Sequence, residues 1–163
     1  MKPSSVILAS LLQLQILFGC YNKFMMKKIL VLCTGNSCRS QIAEGYLKYF
    51  AEDKAVVYSA GVETHGANKM AIQTMLEDGI DISNQTSNHV DEYLDIEFDF
   101  VITVCDNAKE KCPYFPVKSK IVHKNFEDPS KFVGSEAESK ERFRESRNQI
   151  KAFCRTFVSD YIL

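Results

Sequence analysis

Cys33 and Arg39 stand six positions apart in the stretch Cys33-Thr34-Gly35-Asn36-Ser37-Cys38-Arg39-Ser40, which pairs a soft nucleophile with a forked cation. Set between a strand and a helix, such a loop converges its backbone N–H groups and the helix dipole on one point. An oxyanion held at that point lies beside the sulfur of Cys33. The same N–H groups and Arg39 are expected to lower the pKa of the thiol and make it a thiolate at neutral pH. Arg39 offers a planar fork to two oxygens of a tetrahedral anion. Thr34, Gly35, Asn36, Ser37 and Cys38 complete the candidate oxyanion loop. Gly35 permits close backbone approach, Asn36 organises the loop through hydrogen bonds to neighbouring backbone, and Ser40 is placed to donate its hydroxyl to the thiolate. A glycine-containing turn around a buried cysteine is the bland alternative, which the position after an apolar strand disfavours.

Two further cysteines raise a second kind of chemistry. Cys105 follows the apolar run 98–104, and Cys112 comes seven residues later, directly before Pro113. A cysteine at a strand end is often core, but Cys112 sits after a polar hexapeptide, where core packing explains it poorly. The pair therefore reads as redox thiols. Cys38 is expected to face the core, although under oxidation it could trap Cys33 as a disulfide. Cys154 falls on the apolar stripe of the last helix and is expected to pack there. His65, His89 and His123 are scattered with no carboxylate or cysteine at ligand spacing, so no metal site is expected from them.

The elements that must position these residues are legible in the hydrophobic pattern. Residues 28–32 (Lys-Ile-Leu-Val-Leu) are rich in strand formers, as in a parallel strand buried on both faces. Ala43, Tyr46, Leu47 and Phe50 recur at helical spacing after the loop. Residues 55–58 read as a second strand. Ile72, Met75 and Leu76 mark a second helix, stopped at Asp78-Gly79. Residues 98–104 form another buried strand and 120–123 a short one. Ser135 and Glu138 have capping-box spacing, and Phe143, Arg147, Ile150, Cys154, Phe157 and Tyr161 trace one long amphipathic helix. The charged run 131–147 is expected to be a solvated face. Strands alternating with helices predict a single α/β domain with a central four-stranded parallel sheet flanked by helices.

Composition narrows the function classes. The chain has 163 residues, 45% of them hydrophobic and 25% charged, with a formal charge of −1. No one-signed field exists to hold a nucleic-acid backbone, so nucleic acid is not an expected partner. No apolar run reaches the ~20 residues of a spanning helix. Six unevenly spaced cysteines fit reactive or buried thiols in a reducing compartment better than a disulfide scaffold. Residues 1–25 differ from the rest: Lys2 precedes an apolar stretch that ends near Cys20. This segment is expected to be a misassigned start, with Met25-Met26 opening the domain 26–163; the alternative is a signal that exports the chain or anchors it by lipid at Cys20.

The loop, with Ala43-Glu44 and Tyr58-Ser59-Ala60-Gly61, resembles the low-molecular-weight tyrosine phosphatase superfamily from about Met26 to the C-terminus. That superfamily includes phosphatases and thioredoxin-coupled arsenate reductases. Cys105 and Cys112 with Pro113, together with Gly61-Val62-Glu63-Thr64-His65-Gly66 and Asp81-Ile82-Ser83-Asn84, resemble the reductases. The phosphatases carry an acidic turn and no thiol pair at that strand end. The resemblance implies a three-thiol cascade. Cys33 attacks arsenate, and Asp128, in Phe126-Glu127-Asp128-Pro129, protonates the departing oxygen. Cys105 then attacks the sulfur of Cys33 and expels arsenite. Cys112 carries the disulfide outward as Cys105–Cys112, for thioredoxin to reduce.

The protein supplies the electrons in such a cascade, so no cofactor is expected. Arsenate and thioredoxin are the expected partners, and a cytoplasmic monomer the expected form. Residues 106–111 are expected to hold a helical turn that unwinds when Cys105 joins Cys112, since a helix would keep them about 10 Å apart along its axis. Some reductases of this kind carry potassium. The positions matching its ligands are Asn36, Glu44, Ser59, Thr86 and Asn88, the last departing from the acidic residue expected there. The alternative function is a phosphatase hydrolysing phosphomonoesters through a Cys33 phosphoenzyme with Arg39 and Asp128. Against it, Ser130 stands where phosphatases usually carry an aromatic residue. An oxyanion-binding or redox-sensing module without turnover is the third reading, and Asp128 counts against it, since binding alone needs no acid.

Overall fold

In the computed structural model, which describes residues 26–106 and 119–163, Ile29, Leu30 and Val31 are completely buried. They lie on β1 (Lys27–Cys33), an inner strand with β2 (Ala55–Gly61) on one side and β3 (Phe100–Thr103) on the other; β4 (Lys120–His123) closes the order β2-β1-β3-β4. Every neighbouring pair is parallel. A strand paired on both edges and covered on both faces must be apolar throughout, which is why the run 28–32 shows no alternation. The register sets Cys33 beside Gly61 and Leu32 beside Thr103. The carboxyl ends of β1, β2 and β3 are thereby brought level, where ligands of open α/β sheets bind.

Among the described residues three α-helices flank the sheet. Helix α1 (Arg39–Ala51) follows the loop after β1 and packs on α3 (Glu136–Tyr161), which also touches α2 (Lys69–Glu77). The capping box expected at the start of α3 is formed: Ser135 Oγ accepts from the Glu138 N–H and the Glu138 carboxylate accepts from the Ser135 N–H. Phe143, Ser146, Ile150, Cys154, Phe157 and Val158 form its buried face. Cys154 packs there as expected, its Sγ 3.7 Å from the Ala43 carbonyl, and burial pushes its thiol up.

Several expectations need correction. Strand β2 runs on to Gly61, beyond the predicted end at Tyr58, because Ser59, Ala60 and Gly61 are weak strand formers held by pairing to β1. Strand β3 is shorter than 98–104, although Phe98 and Val104 are buried. Leu76 is 52% exposed; Ala71, Thr74 and Met75 form the buried face of α2 instead. The charged run is not wholly solvated, since Lys140 and Arg144 reach Glu77 at 3.3 and 2.8 Å and tie α3 to α2. Arg144 first, then Lys140, lower the Glu77 carboxyl to about 2. Among the described residues no helix is long and apolar enough to cross a membrane. The segment 1–25, Cys112 and the turn predicted over 106–111, apart from Asp106, lie outside the described residues.

Gly61 joins the sheet to the loop after β1. A Cβ there would stand 2.4 Å from the Glu63 carbonyl, 2.6 Å from the Thr34 carbonyl and 2.8 Å from the Asn36 nitrogen, all backbone atoms. Gly61→Ala is therefore expected to cost about 1–3 kcal/mol, as overpacking does, and to weaken phosphate binding at the same time. Urea unfolding and calorimetric titration with phosphate check the two effects; full stability with unchanged affinity would show that the loop can retreat freely.

Candidate active site

The loop between β1 and α1 has its carbonyls drawn outward. The Thr34 carbonyl accepts from the Glu63 N–H at 2.9 Å, that of Gly35 from His65 at 3.2 Å, and that of Ser37 from Asn68 at 2.8 Å. The Asn36 carbonyl accepts from Gln41 Nε2 at 3.1 Å, and the Cys38 carbonyl from the Ile42 N–H at 3.0 Å. In a trans peptide the N–H points opposite to the C=O. The N–H groups of residues 35–39 are thus turned the other way, and none has a partner among the described residues. They face a cleft of ≈ 440 Å³ lined in part by Cys33, Cys38, Arg39, Cys105 and Asp128.

Asn36 makes this turn possible. It is fully buried with φ at +42°, a conformation that asparagine tolerates better than most residues. Its amide joins a buried chain: Asn36 Nδ2 donates to Ser59 Oγ, the Ser59 hydroxyl donates to Glu44 Oε2, and Asn36 Oδ1 accepts from Gln41 Nε2. Gln41 also donates to the Thr86 carbonyl at 2.9 Å and accepts from Gln85 Nε2 at 2.8 Å. Asn36 therefore organises the loop, but its amide does so through the side chains of Ser59 and Gln41 and not through the expected neighbouring backbone. Gln41 and Gln85 carry much of this scaffold, and no motif in the sequence singles out a glutamine.

The positions matched to potassium ligands do converge: Glu44, Ser59, Thr86 and Asn88 line one cleft, and Asn36 bonds Ser59 behind it. Their donor set fits a potassium ion poorly. The Lys48 ammonium already rests on the Glu44 carboxylate, the Thr86 hydroxyl donates to Asn88 Oδ1 at 2.6 Å, and Asn88 brings no charge. Among the described residues no group of three or more His, Cys, Asp or Glu side chains could hold a metal ion.

Arg39 and Asp128 meet across the cleft. Arg39 Nη2 donates to Asp128 Oδ2 at 2.7 Å and Nη1 to the Phe126 carbonyl at 2.8 Å. The other Asp128 oxygen accepts from the Ser130 N–H and hydroxyl at 3.1 and 2.7 Å. Two hydrogens of the Arg39 fork are thus spent on holding the 126–128 loop, so the fork is not wholly reserved for an anion. Its buried Nε–H has no partner among the described residues, a donor of the kind an oxyanion satisfies.

The thiols depart from expectation. Cys33 is 4% exposed and shares the cleft with Cys105, whose Sγ lies 3.3 Å from Thr34 Oγ1. The Cys33 thiol is pushed up, first by the bond to Cys105 and then by burial, against Arg39 and the Thr34 backbone, which pull it down. Burial and the Cys105 contact thus oppose the anionic form that Arg39 and the Thr34 backbone favour. Ser40, expected to donate to that sulfur, has a buried hydroxyl with no partner among the described residues. Cys38 is buried as expected but also lines the cleft. Burial, then Asp128, push its thiol up to about 12 against the pull of Arg39.

The structure brings His65, Asp106 and Asn125 to the same cleft, although no sequence signal marks them as site residues. His65 packs over Gly35, where a Cβ would meet its Nδ1 at 2.6 Å, and pairs with Glu63 at 3.2 Å. Only the loop's dependence on Gly35 hints at such a neighbour.

Comparison with known proteins agrees with this geometry. The family described as low molecular weight phosphotyrosine protein phosphatase matches residues 28–161. An arsenate reductase of Oceanobacillus iheyensis is 48% identical over 137 residues, covering 81% of this chain and 99% of that protein. A solved arsenate reductase in the phosphate binding state superposes with a TM-score of 0.68 at 33% identity, over 85% of this chain and all of that one. An arsenate reductase in the oxidized state gives 0.70 at 32% identity, over 83% of this chain and 98% of that one.

Alkylation follows the thiolate fraction, so Cys33 is expected to react slowly at pH 7 and faster as pH rises. Cys105→Ala removes the largest influence holding the proton on Cys33. It should move the alkylation profile to lower pH and raise the rate at pH 7 by roughly tenfold or more. Mass-spectrometric mapping of iodoacetamide adducts against pH checks this. An unmoved profile would show that the proton is held by burial alone.

Proposed function

The chain belongs to the low molecular weight phosphotyrosine protein phosphatase family, and we propose that within it this protein is an arsenate reductase whose thiols Cys33, Cys105 and Cys112 pass one oxidation outward to thioredoxin. The observation that carries this reading is a second thiol in the cleft of the first: Cys105 lines it with Cys33, its Sγ 3.3 Å from the hydroxyl of the adjoining Thr34. Phosphoester hydrolysis needs one thiol, one arginine and one acid; a second thiol against the first has no part in it. The relatives named above as arsenate reductases support the same choice.

In this mechanism arsenate enters the cleft and takes the N–H groups of residues 35–39 and the remaining donors of Arg39. Its negative charge occupies the place where the loop favours an anion, and the Cys33 proton passes to the Asp128 carboxylate as the sulfur attacks arsenic. Asp128 protonates the departing oxygen, which leaves as water. The Cys105 sulfur then attacks the Cys33 sulfur. The S–As bond breaks, its electron pair stays on arsenic, and arsenic(V) becomes arsenic(III) as the Cys33–Cys105 disulfide forms. Cys112 attacks Cys105 and restores the Cys33 thiol, and thioredoxin reduces Cys105–Cys112 with two electrons. The cascade requires a reducing compartment, the cytoplasm. The rim suits a small inorganic anion: beside Asp128 it presents Asn125, Ser130 and Lys131, and among the described residues its lining holds no exposed Phe or Tyr ring.

The test is arsenate-dependent consumption of reduced thioredoxin, run beside hydrolysis of a chromogenic aryl phosphate. Cys33→Ser is expected to abolish both. Cys105→Ser and Cys112→Ser should lose reduction while sparing the hydrolysis, and a wild-type protein that consumes no thioredoxin would overturn the reading.

Asp128→Asn should slow the first covalent step by on the order of 10²–10⁴, the usual worth of a general acid. Phosphate affinity, which rests on the loop and Arg39, should change far less. Single-turnover kinetics with arsenate separate the two; turnover within about twofold of wild type would remove Asp128 from the chemistry.

A further inference from the structure

Cys105 lies beyond the end of the sheet. The ladder of β3 with β4 stops at Thr103 paired with His123, and two residues later the chain must hold a thiol against Cys33. On its near side the backbone is held at Val104, whose N–H donates to the Leu32 carbonyl at 2.9 Å and whose carbonyl accepts from the Phe126 N–H at 3.3 Å. On its far side the holding group is a side chain. The Asp106 carboxylate accepts from Asn125 Nδ2 at 2.7 Å and meets His123 Nε2 at 3.1 Å. The other imidazole nitrogen, Nδ1, is 2.8 Å from the hydroxyl of Thr103, which is 1% exposed. The Asp106 carboxylate can only accept, so Nε2 carries the hydrogen, and Nδ1 then accepts from the buried Thr103 hydroxyl, which fixes the ring orientation.

We propose that His123 is a positioning residue for Cys105: anchored by Thr103, it clamps Asp106 and so fixes the chain on both sides of the thiol that faces Cys33. The proposal rests on the reading of Cys105 as a redox thiol and adds to it the group that sets where that thiol stands. His123 does not touch the cleft that holds the anion, whose lining includes Asp106 and Asn125 but not the imidazole. Its influence reaches the chemistry through the placement of one sulfur. Misplacing a reacting atom by about 1 Å costs on the order of a hundredfold in effective concentration. The clamp is therefore expected to matter for bond formation between Cys33 and Cys105 and to be irrelevant to a reaction that uses Cys33 alone.

The test uses the full chain carrying Cys112→Ser, so that the disulfide stops at Cys33–Cys105. Equilibration with oxidised and reduced glutathione reads the effective concentration of the two thiols. Each pair oxidised gives two electrons to one oxidised glutathione, which leaves as two reduced molecules, and the linked Cys33 and Cys105 peptides are quantified by mass spectrometry. His123→Ala is expected to lower the effective concentration by roughly tenfold to a hundredfold. His123→Gln, which keeps a side-chain N–H for Asp106, should recover most of it, and aryl phosphate hydrolysis should stay within about twofold of the parent in both. Equal effective concentrations in the parent and His123→Ala overturn the proposal alone. So does an equal loss of hydrolysis, which would mark a general structural role. A parent that forms no Cys33–Cys105 disulfide removes the redox reading, and the proposal with it.

Discussion

Five carbonyl groups pulled away from the cleft are the condition on which the site depends. A peptide loop is as rich in acceptors as in donors, and it attracts an anion only if the acceptors are engaged elsewhere. Here the chain from Glu63 to Asn68 takes three of them, Gln41 a fourth, and the first turn of α1 a fifth. The close approach of Gly61 brings the first of these segments within reach. The left-handed Asn36 reverses the chain between them, and the hydrogen bonds of its amide and carbonyl offset a backbone conformation that costs on the order of 1–3 kcal/mol when unsupported.

The positive field so created must be read together with the thiol pair. Arg39 and the Thr34 backbone favour a charged Cys33, whereas the Cys105 contact and burial oppose it, and the opposing influences prevail. A loop of this kind stabilises whichever negative group enters it, sulfur or oxyanion. Two such charges in contact repel each other, so a protonated Cys33 leaves the field available to a dianion. In the proposed reduction the Cys33 proton then moves as the sulfur attacks, which gives its acceptor, Asp128, a direct part in the rate.

How much of this is readable in the sequence depends on how local each signal is. The apolar run of β1, the spacing of Cys33 and Arg39 and the capping box of Ser135 with Glu138 are contiguous patterns, and each stands where the residues suggest. The pairing of Asp128 with Arg39 spans 89 positions, and only the resemblance points to Asp128. Gln41 and Gln85 escape notice because an amide in a helix looks like surface until its partners are known. His123 lacks ligand spacing, a criterion blind to a partner one strand away. The pKa direction expected of Cys33 is reversed because the loop is visible in one stretch of sequence, whereas the opposing thiol arrives from a different strand.

Parallel register has a consequence for how such a site changes over time. Because Leu32 pairs with Thr103 and the Val104 N–H bonds the Leu32 carbonyl, position 105 is delivered next to the loop nucleophile by main-chain atoms, whatever residue it carries. The backbone thus offers a standing attachment point beside a reactive sulfur, and its occupant can be exchanged without rebuilding the sheet. A side chain exchanged at this strand end meets the thiol of the loop without any change in the loop itself.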